Sequence, residues 1–340
     1  MYFVQLFSWF MIKFKLFNNF NTKKKIALIV LLILPLLLIF SKNYISTNYA
    51  QGGLLEVVKL PSIRIHLINI AKVAIPLKNL ILMRNVDDKI DLLKSSGSCV
   101  FCDLTQGDFK GSDLNNVELR YATLIGVNLS NTNLNGANLH HTNLSGANLD
   151  GTILTYANLA GVNLDGVDLR NTDLTGANLS GVDLSNKDLT GTILTYANLA
   201  GANLSNTNLN GAILHHINLS GANLDGVDLS NTDLTGVNLS GVDLSNKDLT
   251  GTILTHSNLS GVNLDGVDLS NKDLTGTILR GVDLSGVDLR NMDLTGTNLS
   301  GVDLSNKDLT GTILTHSNLS GVNLDGVDLS NKDLTGTNLS

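Results

Sequence analysis

The chain has 340 residues, 43% of them hydrophobic and only 5% aromatic, with a formal net charge of −7. That sum hides an asymmetry, because residues 1–100 hold 13 Lys and Arg against 4 acids while residues 101–340 hold 10 against 26. A C-terminal part so acidic does not suit nucleic acid as a partner, and two cysteines supply only half of the four ligands zinc wants.

Residues 1–25 form a basic, aromatic segment in which Phe3, Phe7, Trp9, Phe10, Phe14, Phe17 and Phe20 are interrupted by Lys13 and Lys15. Such a composition suits a segment lying at lipid headgroup level, and Met11 is an alternative start. Lys23, Lys24 and Lys25 then precede fifteen apolar residues, Ile26 to Phe40, so a transmembrane or signal-anchor helix is expected over 26–41. Fifteen residues rise only ~22 Å against a hydrocarbon core of ~30 Å, which is short for a span and ordinary for a signal core. Lysines at both ends can snorkel, and a membrane helix tolerates Pro35. Asn48 stands where a cleavage site before Ala50 wants a small residue. The expectation is therefore an uncleaved membrane anchor, with a cleaved signal and a secreted rod as the alternative. Five lysines and no acid precede the apolar run, which keeps the N-terminus cytoplasmic and places the rest of the chain outside.

Residues 42–98 read as a connector punctuated by Pro61 and Pro76. Ile63, Ile65 and Leu67 alternate like a strand, yet Ile63, Leu67, Ile70 and Ala74 also fit a helix, and the pattern does not decide. A short helix is predicted from about Val86 to Lys94, capped by Asn85, with Asp87 and Asp88 in its first turn and Ile90 and Leu93 on one face. Its expected task is to cover the open end of the first leucine-lined coil. Cys99 and Cys102 are expected to pack in that coil, with a disulfide or a metal bridged across a dimer as alternatives.

From Leu104 to Leu339 every fifth residue is leucine, 48 positions with Phe109 the only substitute. A period of five advances a net ~140° per repeat on an α-helix, which would spray the leucines over all faces. On a strand, Ala177 and Leu179 share a face while Asn178 points away, but Val182 comes three residues later, so the chain must bend once per repeat. Gly or Asn two places after the leucine, as at Gly181 and Asn186, is the residue type a tight bend accepts.

Four such sides make one revolution of twenty residues. Residues 241–277 recur unchanged as 301–337, a shift of 60, and the Gly-Thr-Ile-Leu-Thr at Gly151 returns at Gly191, a shift of 40. Columns read every twenty residues are uniform: Asn138, Asn158, Asn178, Asn198, Asn218, Asn238 and Asn258 form one that resumes after Ile278, and stacked amides of this kind ladder. Against this, Asn-Lys-Asp-Leu at Asn246 returns at Asn271, a shift of 25.

A second column, Asp228, Asp248, Asp268, Asp288, Asp308 and Asp328, is the candidate interaction surface. Carboxylates ~4.8 Å apart repel by about 0.9 kcal/mol even in water, so solvation and splay, a bound cation or a basic partner must relieve them. Lys187, Lys247, Lys272, Lys307 and Lys332 occupy the small inward position. Their stems are expected to lie along the wall, with heads in solvent and neutralised by the aspartate that comes after each. His140, His141, His215, His216, His256 and His316 are expected as exposed corners that hold no metal. No residue suggests a nucleophile, a phosphate loop or a cofactor. The chain stops at Ser340 within a repeat, and a second copy stacking on that bare end is expected.

These residues resemble the pentapeptide-repeat family, whose Ala-(Asp/Asn)-Leu-X-X motif is matched almost throughout residues 102–340, about 70% of the chain. The resemblance implies an all-β fold, a right-handed quadrilateral β-helix, here over 99–340. Twelve coils at roughly 4.8 Å make a rod of about 58 Å. The family is functionally mixed, includes acidic DNA mimics that bind DNA gyrase, and brings no catalytic residues. Two readings compete: a non-enzymatic, membrane-anchored scaffold for a protein partner, or a DNA mimic toward a nucleic-acid enzyme. Predicted export and the lack of a dimerising segment after the repeats weigh against the second.

Overall fold

The computed structural model of the chain describes residues 86–340. The predicted headgroup-level segment, the apolar helix and the connector up to residue 85 lie outside the described residues. Helix α1, Val86–Ser96, begins as predicted and runs two residues past Lys94, with Asp87 and Asp88 at its electropositive start. It stops where Gly97, at φ +68°, donates its N–H to the Leu93 carbonyl at 2.8 Å, a left-handed cap that costs glycine nothing. Ile90 and Leu93 are buried, and the Lys89 ammonium donates to the Asp103 carbonyl at 2.6 Å. The helix thereby covers the leucines of the first coil, which would otherwise meet water.

Beyond Gly97 the backbone winds as a square. Bridges join residues twenty apart in parallel, as in Ser98 with Glu118 and Asp103 with Thr123, so one revolution takes four repeats. Each repeat contributes one outward residue at the middle of a side. In chain order the four sides are a mixed side (103, 123, 143 and onward), an Asp side (108, 128, 148), an Ile side (113, 133, 153) and an Asn side (118, 138, 158), each named for its distinguishing residue. Asp and Asn sides thus oppose each other across the core, as do the Ile and mixed sides.

The five-residue motif is explained position by position. Leucine points inward, and every register position from Leu104 to Leu319 is buried. The outward Asn or Asp turns its Oδ1 onto the N–H two residues ahead, as from Ala200 to Asn198 at 3.2 Å and from Thr250 to Asp248 at 2.8 Å. That contact holds the corner. The next residue takes φ near +60°, which explains why glycine and asparagine dominate there. The small inward residue completes the turn, and where it is threonine its hydroxyl in most repeats donates to the carbonyl 23 residues back, though Thr142 and Thr277 donate to the leucine three back and Thr232 to Ser230. Thr192 to Leu169 at 3.0 Å and Thr252 to Leu229 at 2.8 Å are examples. At the far end Leu324, Leu329 and Leu334 are only partly buried and Leu339 is 53% exposed.

Candidate functional surfaces

The Asn side carries the predicted amide ladder. From Asn158 to Asn258 each Nδ2 donates to the Oδ1 twenty residues back, at 2.9–3.3 Å. Ile278 interrupts it, and Asn318 and Asn338 resume it at 3.2 and 3.1 Å. Backbone bridges on this side run unbroken from Ser98 to Asn338.

The Asp side behaves differently. Asp228, Asp248, Asp268, Asp288, Asp308 and Asp328 are all exposed, and no bridge joins successive outward residues between Asn208 and Asp328. The same contrast holds on every side: of the 17 aspartates that follow another outward residue at twenty, only Asp173 and Asp293 are bridged to it, whereas every Asn, Thr, Ile and Glu so placed is. Isoleucine has no donor to offer and still bridges, so a missing hydrogen bond is not the cause. Charge alone is not the cause either, because Glu118 is bridged to Ser98, and Asp233, Asp273 and Asp333 are unbridged although each follows an isoleucine with no side-chain oxygen. Nothing in the structure explains why Asp173 and Asp293 keep their bridges.

The carboxylates of Asp228, Asp248, Asp268, Asp288, Asp308 and Asp328 stay ionised. The Arg290 side chain, through a fork of 2.5–3.1 Å hydrogen bonds, and then its backbone N–H hold Asp288 down to about 2, and Arg170 does the same for Asp168. Asp248, Asp308 and Asp328 are held below the usual carboxylate range first by the hydroxyl two residues ahead and then by its N–H. For Asp228 and Asp268 the order is reversed.

The lysines correct an expectation. Their heads do not pair with the aspartate that comes after each. Lys187 Nζ donates to the Leu164 carbonyl at 2.8 Å, Lys247 to Val227 at 3.2 Å and Lys307 to Ser285 and Val287 at 2.6 and 3.0 Å. Lys272 and Lys332 reach the carbonyls of Leu249 and Leu309. Lys187, Lys272 and Lys332 thus use the acceptor that threonine uses, 23 residues back, and the ammonium substitutes for a hydroxyl. Carbonyls of the preceding coil lie closer to the inward position than the next carboxylate, which points outward. The lysine charge is felt instead by aspartates of neighbouring repeats, Lys247 by Asp228 and Lys272 by Asp248 and Asp268.

Where bridges are lost at the corner between the Asp and Ile sides, two clefts of about 740 and 730 Å³ open. One is lined by Lys247, Asp248, Asp268 and Lys272, and the other by Lys307, Asp308, Asp328 and Lys332. Among the described residues no three His, Cys, Asp or Glu side chains are grouped to hold a metal ion, and no helix is long and apolar enough to cross a membrane.

One open alternative is decided and one further expectation is corrected. Cys99 is buried as predicted, but its sulfur is joined to Cys102 in a disulfide that closes the first corner around Phe101. His140 is not an exposed corner: it is buried against the rings of Tyr121 and His141, with no hydrogen-bond partner for Nδ1. The stack of Phe101, Tyr121 and His141, with centroids 5.0 and 5.4 Å apart, closes over it. His141, His216, His256 and His316 are the exposed corners expected, at positive φ, but the aromatic corners Phe101, Tyr121, Tyr156 and Tyr196 were missed. Reading corner residues every twenty would have found them, since Tyr156, Tyr196, His216, His256 and His316 fall on one edge.

The family described as pentapeptide repeats matches eight segments between residues 98 and 340. No curated protein sequence matches the chain significantly. Among solved structures, the chain is similar to HetL, a pentapeptide repeat protein involved in heterocyst differentiation regulation in the cyanobacterium Nostoc sp. strain PCC 7120. The two are 29% identical over 73% of this chain and 92% of HetL, with a TM-score of 0.25. Rfr23 of the cyanobacterium Cyanothece 51142 is 28% identical over 42% of this chain and all of its own, at 0.20. QnrB1, a plasmid-mediated fluoroquinolone resistance protein, is 18% identical over 72% of this chain and 92% of its own, at 0.21.

Proposed function

Because the chain belongs to the pentapeptide-repeat family, we propose that it is a non-enzymatic scaffold, a rod that displays its Asp side to a basic protein partner. Members of the family form right-handed quadrilateral β-helices and are typically structural or interaction proteins. The observation that carries the reading is the loss of bridges along the Asp side. An asparagine at the same positions would satisfy the corner equally and add a ladder, so stability is given up there in favour of charge. A row of ionised carboxylates without bridges between them is a surface suited to a cationic partner.

The rod is tethered to a membrane through residues 26–41 and lies outside the cytoplasm. Two features support this placement: the lysines before the apolar run, and the disulfide at Cys99 and Cys102, a bond that persists in oxidising compartments. The competing reading, an acidic DNA mimic binding a nucleic-acid enzyme such as DNA gyrase, draws on the same Asp side but needs a cytoplasmic rod. A reporter fused after Ser340 separates them. An alkaline phosphatase fusion is expected to be active, and a fusion that works only in the cytoplasm overturns the placement in favour of mimicry.

A further inference from the structure

Among the exposed large apolar side chains, Ile153, Tyr156, Tyr196, Ile213, Ile253 and Ile313 gather on one side and its adjoining edge, while Phe101, Tyr121, Ile125, Ile278 and Leu339 lie elsewhere. Six isoleucines stand at the outward position of a repeat, and five of them, Ile153, Ile193, Ile213, Ile253 and Ile313, share the Ile side. Ile153, Ile253 and Ile313 are 45–46% exposed. The opposite, mixed side offers only Thr, Asn and Asp.

Each of these five is followed three residues later by a ring at the adjoining corner: Tyr156, Tyr196, His216, His256 and His316. Ile278, on the Asn side, is followed by Gly281. All five rings sit at φ between +58° and +61°, where a tyrosine is strained by roughly 1–2 kcal/mol, histidine and asparagine are better tolerated and glycine is not strained. Tyr156 and Tyr196 are 65% and 63% exposed, and the Tyr196 and His216 rings stack at 5.2 Å. Tyr156, His216, His256 and His316 each lie over the glycine of the next coil, so the edge is a ribbon of rings set along the rod. Rings and isoleucines paired five times on one side, with Ile153, Ile213, Ile253 and Ile313 exposed and Ile193 half-buried, make an apolar strip of the kind that marks an interaction surface.

Its charge selects the occupant. The charged residues at outward positions between these isoleucines are Asp173, Asp233, Asp273 and Asp293, no Lys or Arg stands outward on this side, and the Asp side adjoins it. A second copy laid on the same strip would bring aspartates against aspartates, and an anionic lipid surface would be repelled likewise. Ile153 and Ile313 are eight revolutions apart, about 38 Å, the length of an α-helix of about 25 residues. From this we infer that the Ile side and its aromatic edge are the seat of an elongated, cationic amphipathic segment of a partner protein. Apolar side chains of that segment lie on the isoleucines and rings, and its Lys or Arg side chains meet the interleaved aspartates. The inference rests on the scaffold reading and names the chemistry of its partner.

The test uses the full chain in mild detergent and two labelled peptides of 25 residues with equal charge, one an amphipathic Leu/Lys helix and one Ser/Lys. Fluorescence anisotropy is expected to show the Leu/Lys peptide bound at least tenfold more tightly. Combined Ile153→Thr, Ile193→Thr, Ile213→Thr, Ile253→Thr and Ile313→Thr, which keeps β-branched residues on the side, is expected to abolish that preference, and Ile278→Thr to leave it intact. Tyr156→Asn with Tyr196→Asn, suited to the positive φ, must reproduce part of the loss and guards against misfolding of the larger variant. Unchanged binding in both variants overturns the proposal, as does light scattering that shows a dimer dissolved by the isoleucine substitutions. If Asp248→Asn with Asp308→Asn weakens binding and the isoleucine variant does not, this inference falls and the scaffold reading stands.

Discussion

At the scale of single residues, the small inward position decides how each coil is stitched to the one before. A donor there satisfies the leucine carbonyl 23 residues back, whether it is the hydroxyl of Thr252 or the ammonium of Lys272. Lys272→Met keeps the length and removes the donor, and is expected to cost about 1–3 kcal/mol, whereas Lys272→Thr restores the usual bond and should be close to neutral. Urea unfolding of the two variants side by side checks this. Serine fails in the same position: the hydroxyls of Ser257 and Ser317 are buried without a partner. Ser257→Ala removes an unsatisfied group and is expected to stabilise by about 1 kcal/mol, read as a rise in the urea midpoint.

At the scale of a side, the decisive variable is whether the outward residue is an amide or an anion. Ile278 breaks an otherwise continuous asparagine ladder, with Asn258 before it and Asn298 after it. Ile278→Asn gives both neighbours a partner and should add about 1 kcal/mol, seen as slower hydrogen exchange around residues 258–298. Asp228 comes after Asn208 without a bridge, although Asp188 and Asn208 are bridged. Asp228→Asn is expected to extend that pairing by one coil, with a higher melting temperature and new protection of backbone N–H groups on the Asp side. A variant that melts lower than the parent would show that the charge supports the coil.

At the scale of the whole molecule, the acids set the response to pH. The Asp-side carboxylates from Asp168 to Asp328 have pKa values below their ordinary range, reaching about 2 at Asp168 and Asp288. A depressed pKa means stability fully present above the unfolded value near 4 and lost as pH falls through the folded value, so melting temperature should hold from pH 7 to about 4 and decline toward pH 2. Thermal melts across that range test it. Arg290→Gln should return Asp288 toward the ordinary carboxylate value in a titration followed by NMR, because the side-chain hydrogen bonds from Arg290 are the chief cause of its shift.

The revolution of twenty residues, the inward leucines, the asparagine ladder and the helix beginning at Val86 were all legible in the sequence. Each rests on a strict period and on backbone geometry that admits one solution: a leucine at every fifth residue can be buried only by a chain that bends at every repeat. What only the tertiary structure decided are contacts whose partners no period announces. Lysines bond to carbonyls of the preceding coil because those atoms, not the next carboxylate, lie within reach of an inward stem. His140 is buried because Tyr121 and His141 fold over it, and Cys99 meets Cys102 because the corner turns one sulfur toward the other. The loss of bridges beneath nearly every aspartate is likewise a relation between coils, which exists only once the chain is wound.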